Sequence, residues 1–198
     1  MKAVRFSRFG GPEVLEIVDL PDPHPGPGQV RIAVRAAGVN PSDWKKRKGL
    51  MDGELPQTMG HEAAGVVDEL GVGVVDVNLG DRVFGLSAEG AAQAELAVLS
   101  YYAPVPPSLD FPGAAALPAA IETATRALDQ LGVGTGSTLL INGASWPKTC
   151  GSSRSIRPLR FFQSLGLTPA ARTAIRTWPG PGCGSGRSTI SSTSGPPN

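Results

Sequence analysis

The stretch that decides the fold is Gln29-Val30-Arg31-Ile32-Ala33-Val34-Arg35-Ala36. Val30, Ile32 and Val34 alternate with Arg31 and Arg35, so one side of an extended chain is apolar and the other charged. That is the pattern of a half-buried antiparallel strand, with one face on a core and one in water. Working outward, shorter β-branched runs recur at residues 2–6, 14–18, 65–70, 82–84 and 94–99, separated by turn clusters such as Gly10-Gly11-Pro12 and Gly71-Val72-Gly73. Many short strands divided in this way predict a β sandwich or barrel. Just upstream, Pro21-Asp22-Pro23-His24-Pro25-Gly26-Pro27-Gly28 alternates proline with other residues, which removes backbone donors and favours an extended crossover loop. His24 reads as a solvated loop histidine.

Further along, the period changes. Leu117, Ile121, Ala124, Leu128 and Leu131 recur every three or four residues and form one stripe of a helix. Pro118 falls in its first turn, where a missing N–H costs nothing, and Gly132 follows as a stop. Ser137-Thr138-Leu139-Leu140-Ile141-Asn142 then reads as a short buried parallel strand, and Gly143-Ala144-Ser145 follows it as the opening of an α/β unit.

At 198 residues, and roughly 150 residues per domain, the chain holds one complete core and part of another. The near balance of 18 Lys+Arg against 17 Asp+Glu argues against a nucleic-acid binder as a whole. The average hides a split: residues 1–145 carry 11 basic and 17 acidic side chains, whereas residues 146–198 carry 7 basic and none acidic. The two cysteines, Cys150 and Cys183, both fall in that second stretch. They form neither a disulfide framework nor a four-ligand zinc cluster, which points to a reducing compartment. No apolar run nears the roughly 18 residues needed to span a bilayer, and the first residues lack a signal-peptide apolar segment. The expectation is a cytoplasmic protein with no membrane partner.

Several pieces, in order, carry a resemblance. They are Phe9-Gly10-Gly11-Pro12-Glu13-Val14-Leu15, Gly38-Val39-Asn40-Pro41-Ser42-Asp43-Trp44, Gly60-His61-Glu62-Ala63-Ala64-Gly65-Val66-Val67 and Gly80-Asp81-Arg82-Val83-Phe84-Gly85. Ala115-Ala116-Leu117-Pro118-Ala119-Ala120 with Thr123-Ala124, and Asn142-Gly143-Ala144-Ser145, complete the series. Together they resemble the medium-chain dehydrogenase/reductase superfamily, in its zinc-independent, quinone oxidoreductase-like branch. The resemblance implies a mixed, mainly β fold: a GroES-like N-terminal β domain over residues 1–112, an incomplete Rossmann stub over 113–145, and a disordered basic tail over 146–198. It implies NADPH as the cofactor and a small quinone or enone as the substrate. The nicotinamide then supplies the hydride while the protein supplies position and electrostatics. The resemblance also implies homodimers that pair through the Rossmann sheet.

The resemblance places Asn40 on the cleft beside the nicotinamide ribose and Thr123 across from it, with Asn142, Gly143, Ala144 and Ser145 at the cofactor's strand end. On the residues alone, Asn40 also reads as a turn cap before Pro41 and Thr123 as an ordinary helix residue. No catalytic side chain is assigned. Zinc-dependent relatives carry a cysteine at the position of Asn40. A catalytic zinc needs three protein ligands, and here His61 and Glu62 lack a third, so no metal is expected and His61 reads as a satisfied structural residue. The run Lys45-Lys46-Arg47-Lys48 reads as a solvated face.

The family would continue Gly143-Ala144-Ser145 with Gly-Gly-x-Gly, because the backbone must approach a pyrophosphate closely there. This chain has Trp146-Pro147-Lys148-Thr149. Gly, Pro, Ser and Thr make up 29 of the 53 residues from 146 to 198, a composition that cannot bury enough apolar surface to offset chain entropy. Two origins fit this tail: a reading-frame shift near Ser145, or a basic arm for nucleic acid or an acidic partner. The first makes the chain a reductase half with negligible activity of its own. The second makes it a noncatalytic binding module. The uncovered helix stripe further predicts that the well-protected core ends at residue 112.

Overall fold

A computed structural model describes residues 1–139 apart from Asp52, Ala88 and Thr135. The alternating stretch forms β3 (Val30–Ala37), with Val30 and Ile32 fully buried and Arg35 exposed. Around it lies a five-stranded antiparallel sheet in the order β7-β3-β5-β6-β8. Its other members are β5 (Glu62–Leu70), β6 (Arg82–Leu86), β7 (Leu96–Leu99) and β8 (Tyr101–Pro104). A smaller sheet, β2-β1-β4, joins β1 (Lys2–Phe6), β2 (Glu16–Asp19) and β4 (Gln57–Thr58). The segment from Gln93 to Glu95 stitches the two sheets together. Val4 N–H donates to Gln93 O at 2.9 Å, Glu95 N–H to Lys2 O at 2.9 Å, and Val34 N–H to Glu95 O at 2.9 Å.

The mainly β fold expected from the sequence is therefore present, with local differences. Residues 14–18 are not one strand: Pro12 opens a 3-10 turn over Pro12–Val14, and β2 begins only at Glu16. Two short helices were not anticipated, α1 (Pro41–Arg47) and α2 (Phe111–Ala115), and neither is long enough to display a helical period. The expected long helix is α3 (Pro118–Gln130), with proline at its start. Gly132, at φ +63°, donates to Asp129 O at 3.1 Å, and Val133 donates to Leu128 O at 3.1 Å. That pair of bonds is a Schellman stop, and only glycine takes such a backbone conformation without strain.

Consecutive residues of β5 and β6 belong to different cores. Ala63 and Val83 join Val30, Ile32, Val67 and Leu99 on one side of the sheet. Ala64 and Phe84 join Ala103, Val105, Ala114, Ala115 and Ile121 on the other. Cover on both faces explains why Ala63-Ala64-Gly65-Val66-Val67 is continuously apolar whereas β3 alternates. Burial thus runs on past residue 112, because α2 and the first turns of α3 cover the second face. Further along the α3 stripe, Leu128 and Leu131 are half-buried and Ala124 is exposed. The expected strand at 137–142 lies outside the described residues from Leu140 onward, as does the whole of 146–198.

Candidate functional site

The site is assembled where β3 ends, β5 begins and α3 starts. After β3, Gly38 turns the chain and Asn40, extended at φ −118°, precedes α1 with Pro41 in its first turn. Asn40 stands at the N-cap position of α1, and Asp43 Oδ2 accepts its backbone N–H at 2.6 Å. The Asn40 side chain reaches elsewhere: Nδ2 donates to Glu62 Oε1 at 2.6 Å. Glu62, at the first position of β5, is only 2% exposed, and its other oxygen accepts the Ala119 N–H at 2.7 Å. Pro118 has no N–H to give, so Ala119 offers the first free donor of α3, and a carboxylate there also meets the positive end of the helix. A buried charge without such donors would be costly.

Thr123 lies one turn beyond Ala119 on α3 and is exposed, its hydroxyl 3.5 Å from Glu122 Oε2. Glu122 is itself buried and pairs with Arg126 Nε at 2.7 Å. The structure therefore links Asn40 to the helix that carries Thr123, through Glu62. Asn142, Gly143, Ala144 and Ser145 lie outside the described residues. In the sequence Glu62 reads only as half of the His61-Glu62 metal motif. The signal that could have revealed its role is a lone carboxylate inside the apolar run from Gly60 to Val67, which demands donors from elsewhere.

His61 corrects its sequence reading. It is not satisfied: its Nε2 is buried and has no hydrogen-bond partner. Gly90, at φ +71°, lies beside the ring, and a Cβ there would come within 3.2 Å of Cε1. Burial, and secondarily the nearby Lys46 ammonium, hold the imidazole below its ordinary pKa, with Asp43 opposing. Lys46 is likewise lowered by its own burial, against the pull of Asp43. The basic run is not simply a solvated face either. Arg47 is 8% exposed and donates to Gly10 O at 2.9 Å, while Lys45 and Lys48 flank the Trp44 ring at 5.9 and 5.5 Å. A helical turn necessarily rotates one of four consecutive residues inward, and here that residue is Arg47. His24 is the exposed loop histidine expected, with Glu69 at 3.1 Å from its ring.

Among the described residues no three His, Cys, Asp or Glu side chains gather as a metal site. Nor is any helix among them long and apolar enough to cross a membrane.

Comparison with known proteins bears on this geometry. Residues 26–114 match the alcohol dehydrogenase GroES-like domain. Rat quinone oxidoreductase is 40% identical over 151 residues, covering 73% of this chain and 46% of the rat protein. The quinone oxidoreductase structure from Coxiella burnetii superposes with a TM-score of 0.62 at 38% identity, over 69% of this chain and 47% of that one. The Escherichia coli quinone oxidoreductase, solved in complex with NADPH, gives 0.61 at 31% identity over 66% and 41%. The chain thus spans about half the length of the relatives it matches.

Proposed function

Since the chain belongs to the medium-chain dehydrogenase/reductase superfamily, in its quinone oxidoreductase-like branch, we propose that it carries the substrate-side half of an NADPH-dependent reductase of quinones or conjugated enones that works without zinc. In this reading residues 1–112 are the substrate-side domain, 113–145 open the cofactor domain, and 146–198 are an appended tail. The relatives' names support oxidoreductase chemistry over a noncatalytic binding module. A small-molecule substrate and a cytoplasmic setting belong to the same proposal.

The observation that carries the zinc-free reading is the bond between Asn40 and Glu62. In a zinc enzyme the side chain at position 40 would be a thiolate and the neighbouring carboxylate would face cationic chemistry. Here the amide donates to the carboxylate, and the second carboxylate oxygen is taken by Ala119. Engagement of both carboxylate oxygens supports a site that works without zinc. The same donor set suits the sugar and nicotinamide end of NADPH. Asn40 Nδ2 keeps a second N–H and Thr123 is exposed, so both can offer hydrogen bonds to a ligand, while the nearby carboxylates Glu62 and Glu122 are buried and partnered. NADPH supplies the hydride when bound; Asn40 and Thr123 orient it.

The test is calorimetric titration of the purified chain with a sulfonated anthraquinone, followed by an NADPH oxidation assay with and without EDTA. Saturable quinone binding and indifference to EDTA are expected, with turnover below about 1 per second because Trp146-Pro147 stands where the phosphate glycines belong. Loss of binding on metal removal, or no quinone binding at all, would overturn the proposal.

A further inference from the structure

Glu62 has two partners, and they are 22 and 57 residues away in sequence. They belong to the two segments that bear the candidate site residues: the β3–α1 junction with Asn40, and α3 with Thr123. The approach is built into the chain, since a Cβ on Gly38 would overlap the Glu62 side chain. Ala119 and Thr123 are four residues apart and share one side of the helix. Whatever fixes the N–H of Ala119 against Glu62 therefore also fixes where Thr123 stands.

We propose that Glu62 is the positioning residue of the site, setting the Asn40 carboxamide against the face of α3 that bears Thr123 and so fixing the geometry offered to the ribose–nicotinamide end of the cofactor. This rests on the function proposed above. It requires both carboxylate oxygens. Both bonds are acceptances, and a glutamine of the same shape has only one acceptor oxygen, turning N–H donors toward whichever partner loses.

The experiment uses the full chain labelled with 15N, comparing wild type, Glu62→Gln, Glu62→Asp and Glu122→Gln. In Glu62→Gln, the Asn40 side-chain amide resonances should move, and exchange at the Ala119 amide should speed up about tenfold, with the amides of β6 unchanged. Glu122→Gln, which alters a buried carboxylate that lies on α3 itself, should leave the Asn40 resonances in place. If Glu62→Gln does not fold, Glu62→Asp serves, because its shorter side chain cannot span both partners. A response at Ala119 alone would make Glu62 a simple helix cap and overturn the proposal, as would unmoved Asn40 resonances. In a second arm, NADPH binding is followed by nucleotide fluorescence. Glu62→Gln and Asn40→Ala should each weaken it about tenfold, the scale of one hydrogen bond, and the double variant should be no worse than either. Additive losses would show that Glu62 acts independently of Asn40. Absence of NADPH binding by the wild type would count against the functional reading, while the amide measurements would still decide the positioning claim.

Discussion

The interior between β3, β5, β6 and β7 and the polar junction at Glu62 share one strand, β5, and they are held by different means. In the interior Val30, Ile32, Val67, Val83 and Leu99 are shielded on every side and contribute by area. No single contact is specific, and neighbours of similar volume could be exchanged. At the junction a carboxylate is held by two donors, and the orientation of Asn40 and the start of α3 both depend on it. Burial supplies stability without fixing direction; the junction fixes direction with few bonds. The two meet in β5, which begins as Glu62 and continues as Ala63-Ala64-Gly65-Val66-Val67.

The contrast can be broken hardest from the apolar side. Phe84→Ala empties the centre of the face that receives α2 and α3 and should cost about 3–5 kcal/mol in urea denaturation. Glu62→Leu should cost less, about 2–3 kcal/mol, through the unpaired Asn40 and Ala119 donors, while leaving the protection of β3 amides nearly unchanged. Equal loss of protection in both places would show that the junction is part of the core. Gly132→Ala asks a smaller question, whether α3 ends rigidly. Its left-handed backbone predicts a loss of about 1 kcal/mol, read as a lower melting temperature.

His61 tests the polar side by pH. Its pKa is lowered in the fold, so the unfolded chain binds the proton more readily, and this group's contribution to stability is present at neutral pH. It is lost as pH falls from the ordinary histidine value through the depressed one. Urea midpoints should therefore fall on acidification from pH 7.5 toward 5.5, and fall less in His61→Gln. An equal fall in both proteins would remove His61 as the cause. The smallest effect belongs to Lys2→Ala, which removes an exposed pair with Asp19 at 3.1 Å. A change within about 0.5 kcal/mol, fading with added salt, is expected.

Local pattern is what the sequence expressed well. The alternation of Val30, Ile32 and Val34 marked β3, and the stripe with Pro118 and Gly132 at its ends bracketed α3, because each is a repeating signal confined to one element. Helices α1 and α2 were invisible for the complementary reason: seven and five residues do not complete enough turns to repeat. For the site, Asn40 and Thr123 were singled out by resemblance, yet the residue that joins their segments was not. A bond between Glu62 and Ala119 spans 57 residues, and no local pattern encodes a partner so distant. The unpartnered Nε2 of His61 was hidden in the same way, since whether a ring nitrogen finds a partner depends on how Gly60 and Gly90 bring other segments around it.

The stitching of the two sheets by Gln93 and Glu95 has a consequence for the order of assembly. Strand β1 leaves the ribosome well before Gln93 and Glu95, for which one of its edges waits. At about 5–20 residues per second of translation, β1 remains incomplete for roughly 5–20 s. During that interval Ala3 and Phe6, both buried in the finished protein, stay open to other chains. Nascent β1 is thus a segment in need of chaperone cover, and its last contacts close only after β3, β5 and β6 have been made.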